Sequence, residues 1–169
     1  FPNEKDAIYS MLEDYIISMD KEKRSDAISG IYRILVMAKS GINISCPDYL
    51  WDYISQTIKW RREQGFKAAC NVTKKIFTNM PELVPARFLD DILTGLKNLL
   101  DETSPEYSTH FGPIERRLAF RSFASNLAYC VYEYYKKNDL QIPEVIIRWK
   151  EVCQSPEEFW EIRKIWVNG

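Results

Sequence analysis

Ser108-Thr109-His110 is the first place in this chain to look for chemistry. A hydroxyl becomes a nucleophile when an imidazole takes its proton, and His110 is the sole histidine among the 169 residues. Sequence neighbours rarely make that geometry, and the triplet lies in one long polar stretch, residues 102–113. His110 is therefore expected to be a loop histidine without a catalytic role. Carboxylate pairs are the next candidates, because two acids sharing a site can divide acid and base duties. Glu13-Asp14, Asp90-Asp91 and Glu157-Glu158 are each adjacent in sequence. On a helix, adjacent positions diverge by about 100°, which keeps such pairs from sharing a proton.

Cys46, Cys70, Cys130 and Cys153 lie far apart, with no CxxC and no histidine at ligand spacing. They read as reduced, buried thiols, as in a cytoplasmic protein. The sequence holds no phosphate-binding glycine loop, dinucleotide fingerprint, HExxH pattern or EF-hand loop. No catalytic residue, metal ligand or cofactor is assigned on these grounds. Asn71-Val72-Thr73 matches a glycosylation acceptor but falls inside a helical pattern, where chance explains it. The chain opens on Phe1 rather than a methionine and so reads as a piece of a longer protein.

Charge is more informative than any motif. Lys and Arg number 23 against 24 Asp and Glu, a net charge of −1, so no global attraction to nucleic acid or to a membrane follows. The local arrangement is uneven. Residues 61–77 carry Arg61, Arg62, Lys67, Lys74 and Lys75 against Glu63, and residues 115–137 are basic in the same way. Residues 4–19 and 82–101 are acidic.

The elements that must position these charges are helices. A 46% hydrophobic, 28% charged composition excludes wholesale disorder, and six glycines suit helices joined by short connections. One domain is the expectation for this length, and no apolar run reaches a membrane span. Apolar spacing predicts helices over about 3–19, 22–38, 47–60 and 62–78, with another ending near Leu100 after Pro81 and Pro85. Further helices are predicted over about 114–136 and from Pro143 to Cys153. A last one should start at Ser155 as N-cap, with Pro156 in its first turn. The class is all-α, with seven or eight helices. Ile28, Ile31, Tyr32, Leu35, Phe66, Ala69, Phe120, Phe123 and Leu127 are expected in the core.

The second, fourth and sixth of these helices superpose. Placing Arg24 on Arg62 needs a shift of 38 positions, and placing Phe66 on Phe120 needs 54, the excess of 16 being close to the length of the polar stretch. The unit is then a helix pair of about 38 residues, interrupted once. With Pro47 and Pro85 early in the first helices of two pairs, the pattern resembles HEAT and armadillo-like repeats over about residues 3–137. The turn "IKWRREQG" lacks the aspartate such units tend to carry.

The resemblance implies antiparallel helix pairs stacked as a short α-α superhelix. An irregular helical bundle is the alternative that shares its periodicity. In a superhelix the second helices line the concave face, which would gather Ser29, Lys67 and Arg121, then Arg33, Asn71 and Ser125, with Lys74 one turn on. Arg33, Lys67, Asn71, Lys74, Arg121 and Ser125 are thus the candidate partner-binding residues. The expected function is a non-enzymatic protein-interaction or scaffolding module with an acidic protein partner. The alternative is nucleic-acid binding through the same basic face. Pairing of those cations with the acidic helices is the purely structural reading. An acid among aromatics, Trp51-Asp52 with Trp60, suggests base chemistry by fold analogy, but core packing is the expected role of these tryptophans.

Overall fold

Helix is the only regular structure in the described residues of the computed structural model, 21–40, 48–62, 65–104 and 113–167. The helix expected over 3–19, together with His110 and most of the 102–113 stretch, lies outside them. Among the described residues seven α-helices follow one another: α1 (Lys21–Lys39), α2 (Asp48–Lys59), α3 (Phe66–Asn79), α4 (Ala86–Glu102), α5 (Ile114–Lys137), α6 (Glu144–Cys153) and α7 (Trp160–Arg163). Short 3-10 turns occupy Pro81–Leu83 and Lys164–Trp166. No described helix is long and apolar enough to cross a membrane.

Prolines set three of the described starts. Pro113 and Pro143 stand just before α5 and α6 in extended conformation, and Pro85 immediately precedes α4. Each ring fixes φ near the value a first turn needs and removes an N–H that would have no acceptor.

Two ends close with a left-handed residue that is not glycine. At the end of α2, Arg61 has φ 50°; its N–H reaches Ile58 O and the next N–H reaches Thr57 O at 3.0 Å. At the end of α5, Asp139 has φ 54°, with Asp139 N–H on Lys136 O and Leu140 N–H on Tyr135 O. Both patterns return two orphan carbonyls to hydrogen bonds. The predicted helix over 62–78 consequently starts later, at Phe66, because Gly65 at φ 83° cannot continue a right-handed helix.

The chain forms two compact units, residues 1–88 and 89–169. In the first, α1 and α2 both pack on α3. Ile28, Ile31 and Leu35 of α1, Leu50, Ile54 and Ile58 of α2, and Phe66, Ala69 and Ile76 of α3 are buried at helical spacing. Each large apolar side chain so placed contributes about 1.5–3 kcal/mol. Trp51 meets Phe88 edge-on, ring centroids 4.9 Å apart. Two expectations fail here. Tyr32 is half-buried, on the rim between α1 and α3, and Trp60 is 61% exposed just past α2, where its indole donates to Gln56 Oε1 and meets Lys59 instead of the core.

In the second unit, α6, α7 and the turn after it pack on α5. Phe120, Ala124, Leu127, Ala128 and Val131 form the buried stripe of α5 against Ile146, Trp149, Ile162 and Trp166. Phe123 is half-buried, one residue off that stripe. The last helix also departs from expectation. Ser155 does accept the Glu157 N–H at 3.3 Å, but the chain then turns extended at Phe159 and only Trp160–Arg163 is helical. The cause is Glu158, whose carboxylate is drawn into the interior by Arg121.

Candidate partner-binding surface

Four of the six candidate residues sit on the first unit. Lys67, Asn71 and Lys74 fall at i, i+4 and i+7 of α3 and therefore on one side of it. Lys67 and Asn71 are exposed and Lys74 half-buried; Arg33 is exposed on α1. The two helices are joined along a polar seam at Tyr32. Lys75 Nζ lies 5.5 Å from its ring centroid and Asn79 donates to its hydroxyl at 3.3 Å. The end of this seam is tied down by Lys39, which donates to Asn79 O and lies 3.7 Å from Glu82.

The other two candidates are not on a surface. Arg121 and Ser125 are fully buried, which removes them from any exposed basic face. Arg121 donates through Nε and Nη2 to the two oxygens of Glu158, at 2.8 and 2.7 Å. Its Nη1 donates to Leu100 O at 2.9 Å and to Thr103 Oγ1 at 3.0 Å, and its guanidinium lies 5.4 Å from the Trp149 ring centroid. Ser125 accepts the Trp166 indole N–H at 2.8 Å and lies 3.5 Å from Cys153 Sγ. The Cys153 thiol is pushed up to about 12, mainly by burial, so it is no thiolate nucleophile at neutral pH. This interior network binds helices together and offers nothing to a substrate.

Above it lies a feature that the sequence reading did not pick out. Tyr129, Tyr132, Glu133, Lys136 and Lys137 line an open cleft of about 320 Å³ on α5. Trp166 holds both rings from beneath, 5.1 Å from Tyr129 edge-on and 5.7 Å from Tyr132. Lys150 of α6 donates to the Tyr132 hydroxyl at 3.2 Å with its ammonium 5.0 Å from the ring centroid; Lys136 Nζ lies 5.7 Å from the same ring. Partial burial, then the charge of Glu133 and the adjacent Tyr132, hold the Tyr129 hydroxyl above its usual range, so it stays a neutral donor. Three lysines against one glutamate around two fixed rings suit an acidic ligand with some apolar surface. The signal was present in "YCVYEYYKK": Tyr129, Tyr132 and Lys136 recur at i, i+3 and i+7. The contributions of Lys150 and Trp166 were not readable, since they arrive from other elements.

Two tryptophans outside the cleft are exposed among cations. Trp160 is 61% exposed with Arg163 and Lys164 each 5.8 Å from its ring centroid. Lys59 lies 5.7 Å from the Trp60 ring. Among the described residues no cluster of three or more His, Cys, Asp or Glu side chains could hold a metal ion. Asp52, the acid beside Trp51, is engaged by Arg87 at 3.0 Å. Comparison with protein-family models, with curated proteins and with solved structures returns no significant match to this chain.

Proposed function

We propose that the chain is a non-enzymatic helical interaction module that receives an acidic segment of a partner protein. The observation that carries this reading is the cleft on α5, where Tyr129 and Tyr132 are clamped by Trp166 and bordered by Lys136 and Lys137, with Lys150 donating to the Tyr132 hydroxyl. Aromatic rings held in one rotamer lose little entropy on binding, and lysines at the rim steer and select by charge. The packing of α1 on α3 within one unit is a contact that the stacked helix pairs of a HEAT-like superhelix require. A cytoplasmic setting accords with the free thiols Cys70, Cys130 and Cys153.

The test is fluorescence anisotropy with labelled acidic peptides containing one or two apolar residues, a charge-neutral peptide of equal length, and labelled DNA and RNA. The acidic peptide should bind, and the neutral one should not. Lys136→Ala, Lys137→Ala and Lys150→Ala should each weaken binding, and the dependence on salt should become shallower with each loss. DNA or RNA binding at physiological salt with an unchanged response to these substitutions would reject the reading in favour of the basic face on α1 and α3. If Lys136 and Lys137 serve only the negative end of α5, their loss would leave every affinity unchanged and reject it too.

A further inference from the structure

The turn that closes α2 exposes a tryptophan among cations. Trp60 is 61% exposed, although its ring is one of the largest apolar surfaces a side chain can bury. Its orientation is fixed: the indole N–H donates to Gln56 Oε1, and Lys59 Nζ stands over the ring, 5.7 Å from its centroid. The backbone around it is equally determined. Trp60 N–H reaches Gln56 O at 3.0 Å and Arg61 N–H reaches Ile58 O at 3.1 Å. Arg61 itself takes φ 50°, a conformation that strains a residue bearing a side chain. A rigid turn thus holds one large apolar ring outward.

The charge of the same turn is one-sided. Residues 59–67 hold Lys59, Arg61, Arg62 and Lys67 against Glu63 alone. Arg62 and Lys67 are exposed, Lys59 and Arg61 half-buried. Cations at the end of α2 suit the negative end of its dipole, but Lys67 stands in the first turn of α3, where the dipole opposes it. Capping therefore does not account for the whole group. Trp160 supplies the contrast within the chain. It is equally exposed beside Arg163 and Lys164, but the exposed Glu157 and Glu161 flank it in sequence and balance that charge.

We propose that the turn of residues 59–62, with Lys67, docks on an anionic phospholipid surface. Indoles settle at the boundary between headgroups and acyl chains, and each neighbouring Lys or Arg draws a protein toward acidic headgroups. The indole N–H carries its own acceptor, Gln56, so entry into that boundary strands no donor. A bilayer yields around an exposed ring, so the protein needs no cavity there. Nucleic acid fits less well. Single strands are held on successive aromatic platforms, and this turn offers one indole with Lys59 already on its face. At a net charge of −1 the chain as a whole gains nothing at an acidic surface, so the attachment is local and oriented. It is independent of the cleft on α5 and would survive the failure of that reading.

The experiment is co-sedimentation of the whole chain with vesicles of phosphatidylcholine, or of an equimolar mixture of phosphatidylcholine and phosphatidylserine, at low and physiological salt. The chain should partition onto the mixed vesicles, less so as salt rises, and not onto phosphatidylcholine. Brominated acyl chains in the mixed vesicles should quench its fluorescence. Trp60→Ser should lose most of that quenching, and Trp160→Ser should keep it. Arg61→Gly, which preserves the left-handed closure, and Arg62→Gln should each weaken partitioning about fivefold. Equal partitioning onto both kinds of vesicle would overturn the proposal. So would binding to the mixed vesicles that survives Trp60→Ser, Arg61→Gly and Arg62→Gln unchanged, or that Lys136→Ala and Lys137→Ala abolish. RNA or DNA held at physiological salt through Trp60, with no vesicle binding, would overturn it in favour of nucleic acid. If the cations serve only the end of α2, Arg61→Gly and Arg62→Gln would lower the melting temperature while the parent bound no vesicle, which overturns it as well.

Discussion

Arg121 and Glu158 meet in a two-pronged ion pair, at 2.8 and 2.7 Å, with their side chains 0% and 1% exposed. Removing either partner alone leaves the other charge buried. Arg121→Met or Glu158→Gln should therefore each cost about 3–5 kcal/mol of unfolding free energy, measured by urea denaturation. The double variant Arg121→Met with Glu158→Leu should lose less than the two single losses added together. Strict additivity would mean that the pair is not coupled.

Phe120 and Phe123 separate the core from its margin. Phe120→Ala should cost about 3–5 kcal/mol through a buried cavity. Phe123→Ala should cost clearly less, since that ring is only half-buried. Thermal melts of the two variants, side by side, check the order, and a reversal would place the stripe of α5 one residue away.

Gly65→Ala sets a left-handed backbone against a crowded neighbour. The new methyl would sit 2.8 Å from Arg24 Cγ and 2.9 Å from Cδ, at φ 83°. A loss of about 1–2 kcal/mol is expected from the backbone alone. An unchanged urea midpoint would show that the turn relaxes freely.

Asp139→Gly should act in the opposite direction. Asp139 holds φ 54° at the end of α5, a conformation that glycine enters without a Cβ penalty. A gain of about 0.5–1 kcal/mol is expected, visible as a higher melting temperature. A lower melting temperature would show that the aspartate side chain itself secures the closure.

The buried thiols predict an alkaline limit. Cys153 is pushed from 9.0 to about 12 by burial, and Cys70 is raised further still. Unfolded thiols ionise first, so their contribution to stability is complete below pH 9 and falls as pH climbs from there toward 12. At pH 8 in the native state, iodoacetamide should label the half-buried Cys130 ahead of Cys70 and Cys153. Equal rates at the three would contradict their burial.

Helix positions were legible in this sequence because local chemistry decides them: prolines before α4, α5 and α6, and apolar residues recurring every three to four positions. Exceptions arise where a distant partner intervenes. The start of α7 moved because Glu158 answers a charge 37 residues away, which no local pattern encodes. Arg121 reads as a surface cation when its charge is weighed without its helical neighbours. Ser125, Ala128 and Tyr132 follow it at i+4, i+7 and i+11, a mostly small-residue stripe that already marked an inward side. The cleft on α5 was half visible, in its tyrosines and Lys136, and half supplied by tertiary contact from Lys150 and Trp166.

The distance in sequence between Arg121 and Glu158 has a consequence for synthesis. A ribosome delivers α5 with an arginine on its inward side well before it delivers the glutamate that neutralises it or Trp166 that covers Ser125. Until then the second unit cannot bury that side of α5 without enclosing a lone charge. Nascent chains halted before Glu158 should therefore remain protease-sensitive through residues 114–137, and those extended past Trp166 should become resistant in one step, so the ion pair acts as a checkpoint on when this half of the chain closes.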